Sequence, residues 1–257
     1  MDLKIAGLNK HFDINEHSNF SLRLPDLILN IPSIVFVMGH NGSGKSVFLR
    51  LLSGDEVPSS GNVRVTVGHQ TRIAQRAPTP IVRQNVNENL ALDLTVGENL
   101  SLHLIQKSLK MRFAPLRHMK EPLKQLLKES PSLVGKLNDL CGHLSLGQKQ
   151  ALAFLAVTSH QLPILLLDEF LASTDLDTSR VLFKMATKYA KETPACLIIV
   201  SHDVSFALAK ADRILVLNNG RLVNDLMRGE PSWTESFLAN ALQQNIPQST
   251  QEKYLDL

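Results

Sequence analysis

Two cysteines in 257 residues are too few for a disulfide framework, and Cys141 and Cys196 stand far apart in no paired pattern. That usage fits a reducing compartment and a packing role for both thiols. No apolar run approaches the roughly 20 residues that a bilayer-spanning helix needs. The start, Met1-Asp2-Leu3-Lys4, lacks the basic and apolar regions of a signal peptide. The expected setting is therefore cytosolic, with any membrane role exercised through a partner. Charge of one sign is missing too: 27 Lys and Arg are interspersed with 24 Asp and Glu, a net +3. Nothing in that balance announces a polyanion surface, so no nucleic acid is expected as a partner. Nine histidines are scattered without HExxH or His/Cys metal spacing, and there is no internal repeat. What is present, 44% hydrophobic and 20% charged residues, fills a sizeable core. The length suits one large α/β domain carrying a smaller inserted lobe.

The most informative stretch is Gly39-His40-Asn41-Gly42-Ser43-Gly44-Lys45-Ser46, which fits the phosphate-binding pattern G-x-x-x-x-G-K-[S/T]. Its context fits as well. Ile34-Val35-Phe36-Val37-Met38 before it is of strand length and rich in β-branched residues. Val47-Phe48-Leu49-Arg50-Leu51-Leu52 after it reads as the first turns of a buried helix. A strand, a glycine-rich bend and a helix start make a nest of backbone N–H groups at the positive end of a helix dipole. Lys45 would reach the β- and γ-phosphates, and the Ser46 hydroxyl would sit on Mg²⁺.

Along the chain, residues 3–12 and 20–31 read as short strands around a polar bend, Asp13 to Asn19. Val63 to Val67 is a strand, Gly68 to Pro80 a polar connection, and Ile81-Val82-Arg83 a short strand ending in Gln84. From about 85 the composition turns to Leu, Lys, Gln and Glu. Thr95-Val96-Gly97-Glu98 has capping-box spacing and should start a helix, and Met119 to Lys128 reads as another. The basic residues of this block, among them Lys107 and Arg112, read as a solvated helix face. Beyond it come a helix from Leu144, the buried strand Ile164 to Leu167, a helix over about 178–191 and the buried strand Cys196 to Val200. A hairpin follows at Ile214 to Val223, then one short helix after Ser232 and a polar tail. Continuous apolar strands alternating with helices predict an α/β fold whose parallel sheet is covered on both faces.

Ile164 to Leu167 delivers two adjacent carboxylates, Asp168 and Glu169, at the sheet edge where α/β folds take their ligands. Asp168 would hold Mg²⁺, and Glu169 would polarise a water for in-line attack on the γ-phosphate. His202, in Ile198-Ile199-Val200-Ser201-His202-Asp203, follows a second buried strand and would sense the γ-phosphate edge.

The phosphate loop, Gln84, Leu144-Ser145-Leu146-Gly147-Gln148, Asp168-Glu169, Asp175 and His202 stand in an order that resembles the ATP-binding-cassette (ABC) ATPases, from Leu3 to about Val223. The resemblance implies a P-loop NTPase, RecA-like core with a parallel sheet and an N-terminal antiparallel β region. It further implies a single nucleotide-binding domain over 1–257, with an inserted helical subdomain at approximately 85–160. It implies ATP and Mg²⁺, held in the loop by Gly39, Asn41, Gly42, Ser43, Gly44, Lys45, Ser46 and Val47. Phe12 stands where the family stacks an aromatic ring on adenine. Leu144 to Gln148 resembles the signature LSGGQ, so Ser145, Gly147 and Gln148 are implied to contact ATP held by a second subunit. Gln84 resembles the glutamine that meets Mg²⁺ and the attacking water; Gln75 is its rival, set aside because Gln84 directly follows the short strand. Asp175 stands at the D-loop position, and His202 resembles the switch histidine.

The sequence departs from the family pattern in several places. Leu146 replaces the first signature glycine, no arginine follows in Lys149-Gln150-Ala151, and Val47 replaces a common Thr. Phe170-Leu171 replaces Pro-Thr, Thr174 replaces Leu, and Pro32-Ser33 replaces Gly-Glu. The implied function is the ATP-hydrolysing subunit of an ABC transporter, dimerising on ATP, with a homodimer expected. It would power a separate integral-membrane permease from the inner face of the membrane, alongside a substrate-binding protein in an importer. The alternative is a soluble ABC-type ATPase acting on an assembly or repair partner.

Overall fold

The computed structural model describes residues 2–15, 18–67, 70–73, 79–107, 116–159, 162–170 and 176–243. In chain order the elements are β1 (Asp2–Asn15), β2 (Ser18–Arg23), β3 (Leu27–Asn30), β4 (Ser33–Met38), α1 (Lys45–Ser53), β5 (Ser60–Val67) and β6 (Gln70–Ile73). There follow β7 (Ile81–Val82), α2 (Val96–Lys107), α3 (Leu116–Leu127), α4 (Leu146–Thr158), β8 (Ile164–Asp168) and α5 (Leu176–Glu192). The chain closes with β9 (Cys196–Val200), α6 (Val204–Lys210), β10 (Arg213–Asn218), β11 (Arg221–Met227) and α7 (Glu235–Gln243). Two compact units result: Met1–Thr79 with Cys196–Leu257, and Pro80–Ala195.

In the first unit the strands lie in the order β6-β5-β1-β2-β11-β10-β4-β9. The antiparallel part is built on β1, which pairs β2, β3 and β5. The parallel part is β10-β4-β9, with Val35 opposite both Arg213 and Ile198. Its strands are apolar because both faces are covered: Val35 to Met38, Cys196 to Val200 and Ile214 to Leu217 are all buried. On α1 the buried residues Phe48, Leu49, Leu51 and Leu52 form the inner face, with Arg50 outside, and Gly54 ends the helix in the left-handed region at φ 83°.

In the second unit β7 and β8 pair in parallel, Val82 opposite Leu167. The capping box forms as the spacing predicts: Thr95 N donates to Glu98 Oε2 at 2.8 Å, and Glu98 N donates to Thr95 Oγ1 at 3.2 Å. Buried Asn99 both donates to and accepts from the Ala91 backbone, at 2.9 and 2.8 Å, holding the chain that enters α2. The core of this unit is the run Gln150 to Val157 of α4, where Phe154 stacks on Phe170 at 5.6 Å between centroids.

Three readings from sequence change. The bend at Asp13–Asn19 is largely strand, because β1 and β2 stay paired out to Asn15 opposite Ser18. The stretch 20–31 is two strands rather than one, broken at Leu24-Pro25-Asp26. The polar connection after Val67 contains β6, recruited as the antiparallel neighbour of β5. Backbone pairing needs no apolar side chains, so neither feature leaves a hydrophobic signature.

Both thiols are buried, and burial pushes each up to about 11 from an ordinary value of 9.0. The unfolded chain gives up these protons near pH 9 while the folded chain keeps them to about 11. Unfolding therefore releases protons in that window, and stability falls as pH rises through it. The denaturant midpoint is expected to decline from pH 9 to 11, and to decline less steeply in Cys196→Ala, compared at each pH by chemical unfolding.

Candidate functional site

The phosphate loop leaves the C-terminal end of β4 and turns into α1. Gly39, Gly42 and Gly44 all carry positive φ, at 152°, 79° and 104°. At Gly39 an added Cβ would drive into the Leu217 carbonyl oxygen and come within 2.6 Å of Ser43 Oγ. Gly44 sits beneath β2, where a Cβ would approach Leu22 Cδ1 at 2.9 Å and Phe20 Cζ at 3.1 Å. These positions need glycine for two reasons at once, conformation and close approach. Gly39→Ala is expected to cost about 3 kcal/mol, combining left-handed strain with overpacking. A urea midpoint unchanged by that substitution would contradict the loop geometry.

Lys45 is 6% exposed, and its Nζ donates to Gly39 O at 2.7 Å and His40 O at 2.9 Å. The ammonium thus lies inside the curl of the loop. Ser43 Oγ is buried and has no hydrogen-bond partner among the described residues. Ser46 and Asn41 are exposed. A buried hydroxyl without a partner, a lysine held by loop carbonyls and glycines that keep the backbone bare suit an anionic phosphate chain.

His202 belongs to the same unit. Because β9 runs parallel to β4, with Val200 opposite Val37, both strands release their chains at one edge. Ser201 N donates to Val37 O at 3.4 Å, which sets His202 one residue beyond a contact with the strand that feeds the loop. Asp203, next to it, caps α6 by accepting from Phe206 N at 2.8 Å. Phe12 pairs across β1 and β2 with Phe20, ring centroids 6.4 Å apart, and Lys10 Nζ lies 5.1 Å from the Phe12 ring centre. Phe20 is the aromatic that the contact geometry brings against Gly44, and nothing in the sequence marked it.

The remaining expected residues lie in the second unit. Gln84 follows β7, and Asn89 fixes its turn by accepting from Arg83 N at 2.8 Å and donating to Ile81 O at 2.8 Å. Parallel pairing of β7 and β8 brings Gln84 to the carboxylate pair, and Gln84 Nε2 donates to Glu169 Oε2 at 2.6 Å. Glu169 itself has φ 46°, a left-handed conformation that a non-glycine residue adopts at a cost of about 1–2 kcal/mol. Asp168 closes β8 just before it.

Ser145 is the N-cap of α4, accepting from Gln148 N at 3.3 Å while Gln148 Oε1 accepts from Ser145 N at 3.1 Å. Gln148 Nε2 also donates to Ser132 O at 3.1 Å. Leu146 is 42% exposed. At Gly147 an added Cβ would strike the Thr178 methyl of α5, so this glycine permits helix contact. Asp175 lies outside the described residues. Among the described residues no group of three or more His, Cys, Asp or Glu side chains gathers as a metal cluster.

A glycine-rich loop between a parallel strand and a helix, with its lysine turned inward, defines a phosphate-binding α/β protein of the P-loop type. The family model described as ABC transporter matches residues 24–172. The chain is 31% identical over 230 residues to the tyrosine transport ATP-binding protein of Clostridioides difficile (strain R20291), covering 87% of this chain and 91% of that one. It is 32% identical over 217 residues to the thiamine import ATP-binding protein ThiQ of Histophilus somni (strain 129Pt), with 83% and 95% covered. Its fold matches dimeric MJ0796, a bacterial ABC transporter cassette, at a TM-score of 0.73 and 25% identity, over 89% of this chain and 99% of that one. The chain belongs to the ABC transporter family. It is an ATPase, and it serves as the ATP-binding subunit of a transporter.

Proposed function

We propose that the chain couples hydrolysis of Mg²⁺-bound ATP to import through a separate membrane permease, working as a pair of cassettes. The observation that carries the reading is the phosphate loop, with Lys45 turned inward and a buried Ser43 hydroxyl left to meet an anion. Its neighbour at the same sheet edge is His202. Import as the direction is supported by relatives named for thiamine import and methionine import. A pair of identical cassettes is supported by the dimeric form of the MJ0796 cassette. Among the described residues no helix is long and apolar enough to cross a membrane, in keeping with a permease supplied by another chain on whose inner face this one would sit. Residues 85–160 would form the helical subdomain, and a substrate-binding protein would deliver the cargo.

The residues divide the work by type. Lys45 and the loop amides of Gly42 to Ser46 would neutralise and position the phosphates. Ser46, Gln84 and Asp168 would hold Mg²⁺, which keeps several waters and binds through few protein oxygens plus phosphate. The ion would supply charge neutralisation at the phosphates. Glu169, oriented by Gln84, would draw a proton from the attacking water, and His202 would contact the γ-phosphate. Ser145, Gly147 and Gln148 would meet nucleotide held by the second cassette, Phe12 would stack on adenine, and Asp175 would lie at the join between cassettes.

The deciding experiment is affinity isolation of the tagged chain from detergent-solubilised membranes, with Mg²⁺-dependent phosphate release assayed on the product. Co-purification of a polytopic membrane protein together with turnover supports the reading. Turnover by a chain that brings no membrane protein would favour the soluble ATPase instead.

A further inference from the structure

The phosphate loop is tied to a part of the chain that the sequence gives no reason to place there. His40, its second residue, has Nε2 bonded to the backbone carbonyl of Leu242, in the last turn of α7. Leu242 O is one of the four terminal carbonyls that a helix cannot satisfy internally, and it carries the negative end of the helix dipole. It is therefore a strong acceptor for a ring N–H. His40 is also the hub of the loop: its own carbonyl accepts from Ser43 N at 3.1 Å and from Lys45 Nζ at 2.9 Å. A force on the His40 side chain reaches the lysine through that one peptide.

The helix on the far side is well anchored. Thr234 caps α7, its carbonyl accepting from Leu238 N at 3.0 Å and its hydroxyl from Phe237 N at 3.2 Å. Leu238 is fully buried, and Ala241 is buried one turn later. Ser205 Oγ, in α6, donates to Glu235 Oε1 at 3.3 Å, and Trp233 Nε1 donates to Leu208 O at 3.1 Å. Because Asp203, beside His202, is the N-cap of α6, these contacts link the loop and the histidine turn through α7.

We propose that His40 is a positioning residue of the ATPase, and that its bond to the Leu242 carbonyl makes α7 a brace fixing the phosphate loop in the shape that takes a triphosphate. The inference rests on the ATPase reading of this loop. The brace acts on binding, because it orders a loop before ATP arrives and touches no reacting atom.

The test uses the full-length chain with Mg²⁺ and ATP, measuring KM, kcat and melting temperature for wild type, His40→Ala, His40→Gln, Leu242→Pro and the double His40→Ala/Leu242→Pro. Losing one such hydrogen bond is expected to raise KM about fivefold in His40→Ala, with kcat within about twofold. His40→Gln keeps a side-chain N–H donor at similar reach and should return KM to within about twofold of wild type. Leu242→Pro shifts the acceptor and should match His40→Ala, and the double variant should rise no further, as coupled partners require. A wild-type KM in His40→Ala overturns the proposal, whatever its melting temperature. So does a glutamine variant as poor as alanine, or additive effects in the double. Absence of turnover in the wild type would bring down the ATPase reading and this inference together, whereas turnover indifferent to His40 brings down this inference alone.

Discussion

Replacing Lys45 with alanine is expected to abolish ATP-driven turnover, with a loss of about a hundredfold or more. The reason is visible in how the side chain is held. A nearly buried ammonium, donating to Gly39 O and His40 O, is fixed in the concave side of the loop. Alanine removes the positive charge that a polyphosphate would meet. It also removes the two bonds that draw the loop together. Both ATP affinity, read by nucleotide binding, and phosphate release should fall. Lys45→Arg keeps the charge in a larger, forked shape that the curl cannot seat, so it should rescue poorly. Turnover within threefold of wild type in Lys45→Ala would sink the assignment of this loop as the phosphate site.

Glu169→Gln should separate binding from chemistry. Glutamine can still accept from Gln84 Nε2, so the 2.6 Å contact that orients position 169 can persist. What disappears is a carboxylate able to take a proton from water, an effect of about 10²–10⁴ in rate. Nucleotide affinity should stay near the wild-type value, and an ATP-bound pair of cassettes should accumulate, visible as a shift in size-exclusion elution. The positive φ at this position burdens Glu and Gln alike, so melting temperature should hardly move. Equal turnover in the two proteins would refute Glu169 as the base.

Where local chemistry dictates structure, the sequence was readable. The phosphate loop, the Thr95–Glu98 box and the strands β4, β8 and β9 follow from glycine spacing, capping residues and continuous apolar runs, and they stand within a residue of expectation. Asp168 stands at the end of β8 and Ser145 at the start of α4, as α/β folds favour for ligand-facing residues, whereas Phe12 lies within β1. What was missed depends on partners distant in the chain. The helix α6 is only seven residues long and buries Ala207 alone completely, too little for a periodic signal. Phe20 reads as one more strand residue until β2 folds over Gly44. The bond from His40 to Leu242 joins residues 202 positions apart, and no pattern in a single sequence announces it. The strain at Glu169 was equally hidden, since a left-handed glutamate is imposed by its surroundings rather than by propensity.

The reciprocal bonds at the start of α4 have a consequence for the leucine that interrupts the signature. Ser145 N and Gln148 N are engaged by each other's side chains, and Lys149 N donates to Ser145 O at 2.9 Å. Were this helix start to meet an anion as proposed, the amides facing it would be those of residues 146 and 147 in the first turn of α4. A leucine offers the same amide as a glycine. Its isobutyl group, turned out to solvent, alters the outline that a neighbouring molecule must match, not the number of donors presented.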